Sequence, residues 1–350
     1  NNVYKNLGYQ YFFDASYYDT SGDKATGYGL KDKLLFKNSI KYLQSLQQPF
    51  YAKYITVTNH FPYTLDDEDK DPNFQTTNTG DSNVDNYFVT AHYLDQSIQE
   101  FFNYLQKTGL DKKSIIMIYG DHYGISNSEN TSLASVLGKS ADDWTDFDNA
   151  QLQRVPLMFV IPGTGHGKVY HTYGGEVDVL PTLLHLLGIS SKRYIQFGTD
   201  LFSSKHNQVV AFRNRDFVTP TYTSVGGTIY NNKTGKEAKL TKKQQEKLKK
   251  DQDFVNEELT LSDSLNEKNL LRFYHPKGFK NVNPADYNYS NGLKRAQRIE
   301  KKKGIKSTSI YSENGDRSTV DDYSTDAPEQ NHSSTDSNRI KITNPDANNK

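Results

Sequence analysis

Between Asn83 and Lys107 the apolar positions Phe88, Ala91, Leu94, Ile98, Phe101 and Leu105 recur at steps of three and four, which predicts an amphipathic helix with its polar face toward solvent. Ahead of it, Pro49 to Thr58 (PFYAKYITVT) concentrates aromatic and β-branched residues and reads as a buried strand ending at Asn59-His60, with a polar loop through Asp66 to Asp81 after it. Gly109 is placed to close the helix. Ser114 to Tyr119 (SIIMIY) then reads as a short strand that delivers Gly120-Asp121-His122-Tyr123-Gly124 at its carboxyl end. A third apolar run, Val155 to Ile161, stops at Pro162-Gly163, and a helix is expected near Asp178, with Asp178 as cap and Pro181 tolerated in the first turn. Strands alternating with helices predict an α/β fold, with a mostly parallel central sheet flanked by helices, over residues 1–205.

Past Asn207 the pattern shortens. Gln208 to Phe212 reads as a strand, Val225-Gly-Gly-Thr228 as a hairpin turn, and Lys236 to Asp253 as an exposed Lys-rich helix, so residues 206–305 are expected to form a smaller β/α subdomain. A solvated helix face explains that basic run better than a lipid head-group site. Residues 306–350 are rich in Ser, Thr, Asn and Asp and are expected to be a disordered tail.

Charge and composition narrow the function. The 42 basic residues balance the 42 acidic ones, which removes the positive field expected of a nucleic-acid binder. With no cysteine, thiolate metal sites, disulfides and cysteine nucleophiles are excluded, so any metal must be held by carboxylates, imidazoles or hydroxyls. No apolar run approaches the roughly 20 residues of a membrane helix. The opening Asn1-Asn2-Val3-Tyr4 reads as already folded protein, which leads us to expect a fragment or processed product. Walker-type, G-x-G-x-x-G and G-x-S-x-G motifs are all absent.

The strongest local signal is Gly120 to Gly124, because ligands of open α/β sheets bind beyond the carboxyl ends of strands. Asp121 and His122 there can ligate a divalent metal; alternatively Asp121 caps the next turn and His122 packs locally. His60, at the end of another expected strand, should share that edge, where an imidazole can bond a phosphate oxygen, protonate a leaving alkoxide, ligate the metal or serve a structural role. His185, inside Leu183 to Leu187, reads as a packed helix residue, and His166 and His171 flank a glycine-rich loop without a spacing that demands a role. Arg213 suits either a phosphate or an internal carboxylate, the latter being the simpler reading.

Four blocks in order, Ile55 to Tyr63 (ITVTNHFPY), Ile115 to Ile125 (IIMIYGDHYGI), Gly175 to Gly188 (GEVDVLPTLLHLLG) and Phe197 to Phe202 (FGTDLF), resemble the lipoteichoic acid synthase family. The resemblance extends over roughly residues 1–290 and implies a sulfatase and alkaline-phosphatase type of α/β fold on the extracellular face of a bacterial cell membrane, anchored by N-terminal helices that this chain does not contain. It implies transfer of glycerol phosphate from phosphatidylglycerol to a polyglycerophosphate or glycolipid acceptor, with Mn2+, or alternatively Mg2+, in the site. Carried over by position, Asp121 and His122 match metal ligands and His60 a substrate-contacting histidine. The threonine nucleophile, a glutamate ligand and a substrate-binding segment are expected upstream of residue 1, so the chain by itself is expected to be inactive. Two other readings stay open: a sulfatase or phosphodiesterase of the same superfamily, and a non-catalytic module for anionic wall polymer.

Overall fold

The computed structural model describes residues 2–165, 167–278 and 280–330. In chain order it forms α1 (Asn2–Asn6), α2 (Asp32–Leu43), α3 (Ser82–Lys107), β1 (Ile116–Tyr119), α4 (Asp146–Gln151), β2 (Leu157–Val160) and α5 (Val179–Leu186). Four strands follow, β3 (Val210–Ala211), β4 (Phe217–Val218), β5 (Tyr222–Val225) and β6 (Thr228–Asn231), then α6 (Lys242–Glu267), α7 (Gly292–Lys303) and α8 (Ile310–Glu313).

The helix expected from the apolar stripe is α3. Asp81 caps it by accepting from the Asn83 and Val84 N–H groups, and Gly109, in the left-handed region at φ 70°, ends it. Its most deeply buried line is not the apolar stripe but Thr90, Tyr93, Ser97 and Tyr104. α2 packs against α3, and Ile98 and Phe101 pack at the flank of a core that includes Phe36, Ile40, Leu43, Tyr104, Leu105 and Leu110.

The α/β class holds, but the strand orientation is corrected. β1 and β2 pair antiparallel, Ile116 opposite Val160 and Tyr119 opposite Leu157, and every ladder among the described residues is antiparallel. The connection between β1 and β2 runs through α4 and returns the chain antiparallel to β1, whereas a parallel pair needs a crossover. Residues 51–57 are extended without a ladder, and Tyr51 and Ile55 are exposed, so this segment is not the buried strand its composition suggests.

Past residue 206, β3 to β6 form an antiparallel meander. Its tight hairpin places Gly226 and Gly227 at φ 58° and 83°, a pair of values that favours glycine at both central positions. The Lys-rich stretch is helical only from Lys242, where α6 begins, largely solvated with Val255 as its buried anchor; Lys236 and Glu237 instead pair with Asn231 and Tyr230 of β6.

The expected tail beginning at 306 is corrected as far as residue 330. Ile310 and Tyr323 belong to the main core and Ala327 packs on Leu30 and Leu34. The segment is a strap fastened across α2: Lys37 Nζ donates to the Val320 and Tyr323 carbonyls, Thr319 N–H donates to Gln44, and Lys31 and Lys33 pair with Glu329 and Asp326. Its polar composition misleads because a few apolar residues, two carbonyls on half-buried Lys37 and two carboxylates on buried Lys31 and Lys33 do the fastening. Residues 331–350 lie outside the described residues.

Candidate active site

The approach to His60 is set by the start of α2. Asp32, fully buried, accepts from the Val57 N–H (2.9 Å) and the Thr58 N–H (3.2 Å), and its own N–H donates to Thr58 Oγ1 (3.0 Å). Burial pushes the Asp32 carboxyl up to about 6 in spite of these bonds. Two residues on, Thr90 of α3 donates to Asn59 Oδ1 at 2.8 Å. Extended chain with no ladder of its own is thus held at the position where it presents His60.

β1 delivers the second part. Gly120 accepts no side chain, since a Cβ there would lie 2.8 Å from Val155 Cβ, and at Gly124 it would lie 2.4 Å from the Tyr87 ring. Buried Tyr63, three residues after His60, donates from its hydroxyl to the Gly124 carbonyl and ties the two segments together. Between the glycines, Asp121 and His122 project outward, with 75% and 55% of their side chains exposed.

The rings of His60 and His122 meet edge to face, 5.6 Å between centroids. In each the Nδ1 faces a main-chain carbonyl, Phe61 at 2.9 Å and Tyr123 at 2.7 Å. A carbonyl only accepts, so both Nδ1 atoms carry the proton and each neutral ring keeps its lone pair on Nε2. Two atoms each about 2.1 Å from one ion can stand at most about 4.2 Å apart, and Asp121 Oδ1 and His122 Nε2, at 3.8 Å, satisfy that limit. They fit as two ligands of one ion and leave the remaining positions to other donors. Among the described residues no group of three or more His, Cys, Asp or Glu is arranged to hold a metal.

His60 and His122 are thus neighbours, but His60 comes from a segment without a ladder and not, as expected, from the end of a strand on the same sheet edge. Other candidates separate from them. His185 is not packed: it is mostly exposed and its Nδ1 lies 2.7 Å from Asp200. Arg213 pairs with Asp263 at 2.9 Å. His171 is exposed, and His166 lies outside the described residues. Two residues escaped sequence reasoning. Glu176, inside one of the four blocks, is held above the usual carboxylate range by burial and by the Asp121 carboxylate, with His122 acting the other way, so it lies within electrostatic reach of the pair. Asp32 sits 28 positions before His60 in a segment with no motif; only the fold brings it there.

An α/β scaffold that offers a carboxylate and two imidazoles on loops at one edge is the setting of a phosphoryl- or sulfuryl-ester enzyme, and residues 1–189 match the Sulfatase family model, so the chain belongs to the sulfatase family. Within it, the chain is 52% identical over 290 residues to lipoteichoic acid synthase 2 of Bacillus subtilis (strain 168), covering 83% of this chain and 43% of that protein. It is 46% identical over 292 residues to lipoteichoic acid synthase of Staphylococcus aureus (strain USA300), covering 83% and 44%. The chain thus spans less than half the length of these relatives. Among solved structures, the lipoteichoic acid synthase LtaP of Listeria monocytogenes superimposes with a TM-score of 0.63 at 26% identity, over 74% of this chain and 64% of that one. A Vibrio parahaemolyticus protein of the alkaline phosphatase superfamily, 16% identical with a TM-score of 0.52, covers 75% and 59% and supports the fold.

Proposed function

We propose that the chain is the metal-ligating part of a phosphoglycerol transferase of lipoteichoic acid synthesis. The complete enzyme would move glycerol phosphate from phosphatidylglycerol to a polyglycerophosphate or glycolipid acceptor at the outer face of a bacterial cell membrane. The observation that carries this reading is the meeting of His60 with Asp121 and His122, Nε2 lone pairs outward, in a chain about half identical to lipoteichoic acid synthases.

When bound, a divalent cation, Mn2+ in preference to Mg2+, supplies positive charge to the phosphoryl oxygens. Asp121 and His122 hold it, and the Tyr123 carbonyl fixes the His122 ring so that Nε2 points outward. His60 stands beside the pair as the substrate histidine: its Nε2 accepts a proton from the attacking hydroxyl or, once protonated, returns one to the leaving diacylglycerol oxygen. Tyr63 and Asp32 keep the two segments in register. The nucleophile in this reading is a threonine outside these 350 residues, so the isolated chain is expected to turn nothing over. Among the described residues no helix is long and apolar enough to cross a membrane.

The test is Mn2+-dependent release of diacylglycerol from labelled phosphatidylglycerol by the complete encoded protein, beside Asp121→Ala. Release that requires both the metal and Asp121 supports the reading; a complete protein that leaves the lipid intact, or releases as much without Asp121, refutes it.

A further inference from the structure

Charge along the chain is least balanced in α7. Its residues include Lys294, Arg295, Arg298, Lys301, Lys302 and Lys303 against a single acid, Glu300, and that carboxylate is turned inward to accept from the Ser309 and Ser312 hydroxyls. Gly292 and Ala296 form the buried side of the helix, so Lys294, Arg298 and Lys302 emerge on one exposed face, four residues apart, or about 6 Å per step. Among the described residues none of the three has a carboxylate partner.

The start of this face is concave. A cavity of about 290 Å³ is lined by Asn288, Asn291, Lys294, Arg295 and Arg298. Arg295 is fixed within it, its guanidinium 4.4 Å from the centre of the Tyr11 ring and bonded to the Gln10 and Asn288 carbonyls. Asn291 precedes the helix without a side-chain cap; the Gly292 N–H is taken by the Tyr289 carbonyl and the Tyr17 hydroxyl, which leaves those of Leu293 and Lys294 for an anion. The cavity lies by the last turn of α2, because Gly292 packs on Phe13 and Tyr17 and both rings meet Tyr42, whereas Asp32, which holds the His60 segment, starts that helix, about 18 Å away along its axis. It also lies beyond residues 1–189, the part matched by the sulfatase model.

We propose that this face of α7 is an exosite for a phosphodiester polymer, held at a distance from the reacting end. A row of cations one helical step apart suits a chain that carries one phosphate per short repeat, and amide donors in a concavity suit a phosphate that enters it; a flat layer of lipid head groups meets neither feature. The identity of the polymer, polyglycerophosphate, rests on the proposed function. The exosite would keep a growing chain near the enzyme between additions by making rebinding intramolecular.

The experiment is fluorescence anisotropy of labelled polyglycerophosphate with the 350-residue chain, in EDTA, so that binding is read without turnover. Compared with it are Lys294→Gln/Arg298→Gln and a control of equal charge change on exposed α6, Lys242→Gln/Lys243→Gln. The expected result is binding weakened by about tenfold in the α7 variant, with a shallower dependence on salt, and no change in the control. All four side chains are exposed, so thermal unfolding should coincide for the three proteins. No binding of the polymer, equal weakening in the control, or α7-dependent binding to phosphatidylglycerol vesicles with none to the polymer would each overturn the exosite. Those outcomes leave the transfer reading standing, because that reading is decided by diacylglycerol release.

Discussion

Replacing Lys31 by methionine should be among the most damaging single changes in this protein. The ammonium is 2% exposed and lies 2.5 Å from Asp66, 2.5 Å from Asp69 and 2.6 Å from Glu329, of which Asp69 and Glu329 have no side-chain exposure. The ammonium bonds Asp69 Oδ2 and Glu329 Oε1, and the second oxygen of each carboxylate, Asp69 Oδ1 and Glu329 Oε2, has no hydrogen-bond partner among the described residues, so Lys31 is the chief partner of both buried groups. Lys31→Met keeps the volume but leaves two carboxylates facing each other out of water. Breaking a buried pair in this way costs about 3–5 kcal/mol. Burial, opposed by Lys31, already raises Asp69 to about 6, with the Glu329 and Asp66 carboxylates adding to the rise. Without the lysine, protonation becomes easier still, so the loss should be smaller near pH 5 than near pH 7. Glu329→Gln, which removes one of three negative charges and leaves Lys31 paired, should cost about 1 kcal/mol or less. Urea unfolding followed by the fluorescence of Trp144 measures these differences. A Lys31→Met loss below about 1 kcal/mol, or one equal at both pH values, would refute the reasoning.

Three further outcomes are expected. Burial raises Glu100 from 4.5 to about 7, with the Asp326 carboxyl adding to the rise and the Asp326 N–H opposing it. A raised carboxyl favours the fold while protonated, so its contribution is complete below the ordinary value and is lost as pH rises through about 7. Glu100→Gln should flatten the decline of the melting temperature across that window, and an unchanged profile would count against it. Asp32→Ala orphans the Val57 and Thr58 N–H groups and should cost about 1–3 kcal/mol, with faster hydrogen exchange at both amides; unaltered exchange would contradict the role given to Asp32. In Mn2+ electron paramagnetic resonance of the complete protein, His122→Ala should abolish the bound signal while His60→Ala retains it, and the reverse pattern would exchange their roles.

Helices were legible where periodicity is long. The stripe from Phe88 to Leu105 and the helix start expected at Asp178 fall within a residue or two of α3 and α5, although the Asp178 carboxylate accepts from the Gly175 and Thr199 N–H groups and makes no cap bond to α5. Strand orientation was not, because apolar runs such as Val155 to Ile161 carry no information about which neighbour they join, and β2 exposes Met158 and Val160 on its outer face. The strap was misread for a related reason: its anchors, Glu329 and Asp326, find their lysines nearly three hundred residues away, a pairing invisible to local composition. At the site, residue type and position at strand ends brought His60, Asp121 and His122 to notice. Glu176 and Asp32 act through neighbours that only folding supplies.

The most direct measurement follows the fate of the glycerol phosphate. The complete encoded protein would be incubated with Mn2+ and phosphatidylglycerol labelled in its terminal glycerol, in the presence of a glycolipid acceptor. Transfer requires the label to appear in a lengthening glycerophosphate chain in step with diacylglycerol release, and to vanish from it in Asp121→Ala. Label recovered only as free glycerol phosphate would mark a hydrolase of the same superfamily and contradict the assignment.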